Sequence, residues 1–423
     1  MKKVQPHWGY LAGAAIGAGF TLAARRPPSK TNPLLLPGFF GGWLTNELVF
    51  HHYLWQTLAS VGWIRAGALR HPAGWAALGL TAAQWAAMGQ IVREVRATRS
   101  TVEDALIAGL GPDYRDALPN DASADDFDLV DPRSLLVPFR PQRHGVERLP
   151  NRVFAHHGGE DLRLDITQAV ATLAGDRRPC LVYVHGGGWM TRNREHQGIP
   201  LMAELASRGW VCIRADYRLS PRHAFPAHLI DVKRAIAWVR EHADELGVDP
   251  DQIAIAGGSA GGHLAALAAL TPNRPELQPG FEDIDTSVFA AVPIYGVFDF
   301  RNRLGLRNTL EVQFLARTMF KQRYDDRGEV FHLASPMDQV HPDAPAFLVL
   351  HGQRDSLAPA ADATHFAALL REAGARTVVD VELPGAQHAF DIFPSWRTLV
   401  TLRGVARFLE FARATRPGSA APS

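Results

Sequence analysis

The chain has 423 residues, of which 47% are hydrophobic and 21% charged, with a net charge of +1. Its length exceeds one ordinary core of about 100–200 residues, so a large domain with an appendage is expected, and the even charge excludes a basic nucleic-acid footprint. Two cysteines, Cys180 and Cys212, are too few for a disulfide framework and lack zinc-ligand spacing; each lies in an apolar run and reads as a small buried residue, with a redox pair as the alternative.

The first hundred residues form a region of their own. Six of the ten tryptophans precede position 90, and three stretches are almost free of charge: Trp8 to Ala24, Thr31 to Ile64 (only Glu47), and His71 to Val92. A membrane-spanning helix needs roughly 20 mostly apolar residues with Trp or Tyr at its ends. Asn46, Glu47, His51, His52 and Gln56 are costly against lipid and suit a helix lying in the interface or packed on its neighbours. Arg25-Arg26 directly after the first apolar run argues against a cleaved signal peptide. A soluble helical cap is the alternative. We read residues 1–100 as an apolar helical, membrane-associated region, with transmembrane helices expected but their number, topology and membrane face left open.

Residues 101–148 are polar and acid-rich, including the run Asp121-Ala-Ser-Ala-Asp-Asp126, and read as a connecting segment. Residues 149–415 alternate short β-rich runs with amphipathic helical ones, and 416–423 read as a flexible tail. The spacing predicts opening strands at Arg152–Phe154 and Leu162–Ile166. Further strands are predicted at Cys180–Val184, Val211–Asp216, Gln252–Ala256, Val288–Ile294, Ala346–Leu350 and Thr377–Glu382. Helices are predicted at Gln197–Arg208, Ala227–Leu246, Ala260–Leu270, Ala360–Ala373 and Trp396–Arg413. This alternation describes a mostly parallel central sheet flanked by helices, in the α/β-hydrolase order. An insertion from Arg301 to Val340 interrupts it and is a candidate lid.

The run Ile253-Ala-Ile-Ala-Gly257-Gly258-Ser259-Ala260-Gly261-Gly262-His263 fits strand, sharp turn and helix. Glycines two before and two after the serine permit a strained turn that lifts its Oγ above the sheet and aims the Ala260 N–H into the same space. Ser259 is the expected nucleophile. His185-Gly186-Gly187-Gly188-Trp189, at the end of an earlier strand, offers backbone N–H groups for a developing oxyanion, with His185 holding the loop. In this fold the acid and then the histidine follow the nucleophile. His365 lies inside a helix, whereas His388 lies in the loop after the last strand and is the expected base. Asp355, in the turn after the preceding strand, is the expected acid, with Asp362 as runner-up.

Taken together, His185-Gly-Gly-Gly-Trp189, Asp216-Tyr-Arg-Leu-Ser-Pro221 with Phe225-Pro-Ala227, Gly257-Gly-Ser-Ala-Gly-Gly262 and the His388 loop resemble the hormone-sensitive-lipase-like group of α/β-hydrolase esterases. The resemblance covers about residues 150–415. It implies a triad of Ser259, Asp355 and His388, an oxyanion hole from the amides of Gly187, Gly188 and Ala260, an ester substrate with an apolar acyl group, and no metal or cofactor. Two departures stand out: Gly258 replaces an acidic residue common before the nucleophile, and Arg222 replaces a frequent Glu. The motif His351-Gly-x-x-Asp355 also resembles that of kynurenine formamidases. An amidase or arylformamidase, and a catalytically silent membrane-anchored binding protein, are the competing readings.

Overall fold

The computed structural model describes residues 5–28, 35–119, 132–139, 145–170, 177–192, 194–325 and 328–416. The acid-rich run at 121–126 and the tail beyond residue 416 lie outside these residues. Four helices open the chain: α1 (Pro6–Arg25), α2 (Leu35–Glu47), α3 (Val49–Arg65) and α4 (Pro72–Leu110). A short α5 (Pro132–Leu136) precedes a hairpin of β1 (Val146–His157) and β2 (Glu160–Ala169), both longer than their patterns predict. The rest alternates: β3 (Arg178–Val184), α6 (Ile199–Ser207), β4 (Val211–Ala215), α7 (Ala227–Glu241), α8 (Ala243–Leu246), β5 (Val248–Gly258) and α9 (Ala260–Leu270). Then come β6 (Ala290–Ile294), α10 (Thr309–Met319), α11 (Glu329–Ala334), β7 (Ala346–Gly352), α12 (Ala360–Glu372), β8 (Val378–Leu383) and α13 (Trp396–Ala414).

Among the described residues the strands form one eight-stranded sheet in the order β1-β2-β4-β3-β5-β6-β7-β8. The hairpin and its junction with β4 are antiparallel, and every pairing from β4 to β8 is parallel. Central strands buried on both faces explain the unbroken apolar runs: every residue of β4 and β6 is buried. One face packs against α7, α9 and α12, the other against α6, α13 and the end of α4. Cys180 and Cys212 are free, buried, and belong to opposite faces of the sheet.

The helix α4 passes through residue 100 without a break. Its second half places Val102 and Leu106 in the core beside α13. A Cβ on Gly404 would stand 2.3 Å from Val102, so that contact is a close helix–helix approach that only glycine allows. In the N-terminal helices, Thr21, Asn46, Gln56, Ser60, Thr81 and Gln84 are buried between helices. Trp85 donates to Gln56 at 3.0 Å, and Asn46 to the carbonyl of Ala24 at 3.2 Å. Among the described residues no helix is long and apolar enough to cross a membrane, so the expected transmembrane helices are not found. The physical reason lies in composition: α1 is rich in glycine and alanine, and α4 runs on into Arg93, Glu94, Arg96 and Arg99.

Candidate active site

The candidate nucleophile sits on a backbone turn that its neighbours force. Ser259 follows the last residue of β5 with φ 57° and ψ −119°, a left-handed conformation that costs a side-chain-bearing residue of order 1–3 kcal/mol. Its N–H donates to the carbonyl of Ile294 at 2.9 Å, which anchors the turn to β6. The two flanking glycines are steric requirements. A Cβ on Gly261 would stand 2.0 Å from the Val184 carbonyl oxygen, and one on Gly257 would stand 2.5 Å from the Gly261 backbone. The helix α9 therefore starts close enough to β3 and β5 to lift the Ser259 side chain to the sheet's C-terminal edge.

The candidate base and acid meet at the same edge. His388 Nδ1 lies 2.6 Å from Asp355 Oδ2. The other oxygen of Asp355 accepts the N–H groups of Leu357 and Ala358 at 2.8 Å each, and His351 Nε2 lies 3.2 Å from Oδ2. Burial opposes ionisation of Asp355, yet the His388 and His351 imidazoles hold its carboxyl well below the usual carboxylate range. Gln387 ties the two loops together, accepting from the N–H of Ser356 at 2.7 Å and of His388 at 2.8 Å. The runner-up acid has another partner: Asp362 is buried and accepts from Arg307 at 2.6 Å. His365 lies inside α12. No hydrogen bond joins Ser259 Oγ to His388 among the described residues. The Tyr295 ring lies 4.6 Å from the His388 ring, and its side chain packs against Gly258, next to the nucleophile.

The glycine loop is braced from three sides. A Cβ on Gly186 would meet the Gly258 carbonyl at 2.7 Å and the Ser259 Cβ at 3.1 Å, so the loop lies directly against the nucleophile turn. The Gly186 N–H donates to Gln197 Oε1 at 2.6 Å, and Arg214, itself paired with buried Asp165, donates to the Gln197 carbonyl at 2.9 Å. Gly187 and Gly188 both have positive φ, and so does Trp189 at 59°. The Trp189 indole donates to His263 Nδ1 at 3.1 Å, while His263 Nε2 lies 2.8 Å from the Ala334 carbonyl. Burial pushes His263 down to about 3, so it is a neutral imidazole, accepting on one nitrogen and donating on the other. His185 stacks on Tyr217 at 4.5 Å with its Nδ1 2.8 Å from the Gly186 carbonyl, and burial pushes it down to about 4. Among the described residues no group of three or more His, Cys, Asp or Glu side chains could hold a metal ion.

The family model BD-FAE matches residues 164–370. The probable carboxylic ester hydrolase LipM of Mycobacterium tuberculosis is 38% identical over 432 residues, covering 98% of this chain and 95% of that protein. The chain belongs to the hormone-sensitive-lipase-like group of α/β-hydrolase esterases. Esterase LipQ of the same organism is 42% identical over 316 residues, 74% of this chain and 75% of LipQ. Among solved structures, the apo form of Thermogutta terrifontis esterase 2 is similar with a TM-score of 0.51 and 31% identity, over 64% of this chain and 94% of that one. The LipM match takes in the N-terminal helices as well as the esterase sheet.

Against this family's pattern, the departure at Gly258 has a structural cause. A Cβ there would stand 2.8 Å from the Tyr295 hydroxyl, which donates a short hydrogen bond to buried Asp391. Burial and the neighbouring Asp391 raise Tyr295 far above its ordinary value, so the phenol keeps its proton, and burial raises Asp391 as well. An acid common before the nucleophile in this group is thus absent, while an acid reaches the same space from the base loop. Tyr295, Asp391, Gln197 and His263 all shape the site without standing out in the sequence. The position of Asp391, three residues past His388, was the one available signal. Arg222 pairs with Glu160 at 3.4 Å on the surface.

Proposed function

We propose that the protein hydrolyses carboxylic esters through an acyl-enzyme on Ser259. The observation that carries this reading is the 2.6 Å bond between Asp355 and His388, at the sheet edge where the Ser259 turn emerges. His388 removes the proton of Ser259 as Oγ attacks the ester carbonyl. Ionised Asp355 fixes the tautomer and stabilises the imidazolium. The amides of Gly187, Gly188 and Ala260 receive the oxyanion, aided by the N-terminus of α9. His388 then protonates the leaving alcohol, takes a proton from an incoming water, and returns it to Ser259 as the acid departs. Thermogutta terrifontis esterase 2 has been captured with propionate and with butyrate, which makes short-chain p-nitrophenyl esters the first substrates to try. Ser259→Ala should lower their hydrolysis by about 10³-fold or more without unfolding the protein. Equal rates would overturn the proposal.

A second reading, supported by the surface of the N-terminal helices, is that they seat the enzyme on an anionic lipid surface. Trp8, Leu54, Leu58 and Trp75 are 54%, 59%, 63% and 60% exposed, while Asn46, Gln56 and Gln84 are buried between the helices. Of the charged residues before position 94, Glu47 is the one acid, and it is buried against Arg397. The rest are lysines and arginines. An apolar surface in a segment whose other charges are all cationic suits the boundary of an anionic bilayer. Full-length protein should float with phosphatidylglycerol vesicles; a protein left in the load fraction would sink this reading.

A further inference from the structure

We propose that the N-terminal helices are part of the catalytic scaffold, with Trp43 and Glu94 as positioning residues for His388 and Asp355. The inference rests on the triad reading above. Trp43, on α2, donates its indole N–H to the carbonyl of Ala389 at 3.0 Å, one residue past the base. Ala389 has φ 62°, a strained conformation that persists only where its surroundings hold it. The Trp43 ring also packs against Phe393, 5.2 Å away, at the far end of the same loop.

Glu94, on α4, holds the other loop. It accepts two parallel hydrogen bonds from Arg354, at 2.8 and 2.7 Å, one residue before the acid. Such a bidentate pair fixes orientation as well as distance. Both groups are mostly withdrawn from solvent, with side chains 18% and 13% exposed. The same carboxylate meets the base loop, because a Cβ on Gly385 would stand 2.3 Å from Glu94 Oε2. The Glu94 side chain thus sits where the two loops converge. A third tie closes the frame: Glu47 accepts from Arg397 at 3.0 Å, and Arg397 donates a short bond to the Pro384 carbonyl at the root of the base loop.

The base loop is therefore held at its root, its middle and its far end by residues more than 250 positions earlier in the chain. Neither Trp43 nor Glu94 touches the reacting atoms. Their effect on chemistry comes through the separation and angle of Asp355, His388 and Ser259, and a displacement near 1 Å at such a site costs about 10²-fold.

The test uses full-length Trp43→Phe and Glu94→Gln. It reads kcat and KM on a soluble p-nitrophenyl ester, the rate of labelling by a fluorophosphonate, and the melting temperature, with Ser259→Ala alongside. The expected result is that kcat and labelling rate fall about 10- to 100-fold in each variant at temperatures where it is fully folded, with KM nearly unchanged. A merely structural role would lower the melting temperature and leave both rates alone, which would overturn the proposal. Glu94→Gln preserves shape and serves if Trp43→Phe does not fold. If Ser259→Ala still labels and turns over, the triad reading fails and takes this inference with it; if only the two variants behave as wild type, this inference fails alone.

Discussion

In the sheet region, apolar side chains are sealed between layers: Leu264 and Leu267 on α9 and Ile253 and Ile255 on β5 are all at most 1% exposed. The N-terminal helices bury smaller apolar clusters, one with Met88 and Ile91 and one with Tyr10 and Ala77, and leave much more apolar surface outside. Of 22 large hydrophobic side chains exposed among the described residues, twelve lie between Trp8 and Trp75, while Asn46, Gln56 and Gln84 are buried. Small and polar residues inside with apolar ones outside is how helices pack when their surroundings are themselves apolar. Yet the two regions are not separate bodies, because α4 runs from one into the other and Glu47 and Glu94 are paired with residues beside the esterase loops.

The largest expected effect comes from cutting that join. Glu47 and Arg397 both have side chains with 0% exposure, and Ser395 also donates to Glu47 at 2.7 Å. Removing one partner strands the other charge in a low-dielectric site, so Glu47→Ala should cost about 3–5 kcal/mol of stability. Tryptophan fluorescence is weighted towards the N-terminal helices and far-ultraviolet circular dichroism reports the whole chain. Coincident melting by both probes, shifted downward together, is the expected outcome. A fluorescence transition that moves alone would show the two regions to be energetically independent.

The same contrast decides what was legible in the sequence. In the sheet region, period and punctuation locate the parallel strands to within a few residues, while β1 (Val146–His157) runs well beyond the predicted Arg152–Phe154, and α9 begins and ends at the predicted Ala260 and Leu270. Ser259, His388 and Asp355 follow from motif and chain order, and the Asp355–His388 bond is present. Contacts that depend on distant chain segments left no local trace. The Trp43–Ala389 bond spans 346 residues, and the Tyr295–Asp391 pair spans 96. In the N-terminal helices the sequence shows low charge and many tryptophans, but not which face each residue takes. Buried glutamines and exposed leucines look the same as their opposites until packing is known.

A buried amine in the sheet region gives the next largest effect. Lys233 on α7 is 0% exposed, its ammonium donates a short bond to the Thr271 carbonyl at the end of α9, and burial pushes it down to about 7. In the unfolded chain it stays protonated to about 10.5. Between these values the unfolded state binds more protons, so folding stability rises with pH, by up to about 1.4 kcal/mol per unit. Below pH 7 the cost of a buried charge is felt in full. Lys233→Met should therefore be more stable than wild type by about 2–4 kcal/mol at pH 6. The gap should close as pH approaches 10, as read by urea unfolding across that range. A gap independent of pH would mean that the amine carries the same charge in the folded and unfolded states across that range.

The smallest effect on stability tests the outward apolar face of α3 directly. Leu54 and Leu58 lie one turn apart on α3 and face outward. Replacing both by serine should change unfolding free energy by no more than about 0.5 kcal/mol each, because exposed side chains have little native packing to lose. Leucine-to-serine at Leu264, which is fully buried, should instead cost several-fold more. Binding to anionic vesicles should respond in the opposite order. Each leucine that would enter the lipid contributes about 1.5–3 kcal/mol, so the double variant should partition at least tenfold more weakly in flotation. If Leu54→Ser/Leu58→Ser unfolded the protein as Leu264→Ser does, that face of α3 would be covered by protein and not by lipid.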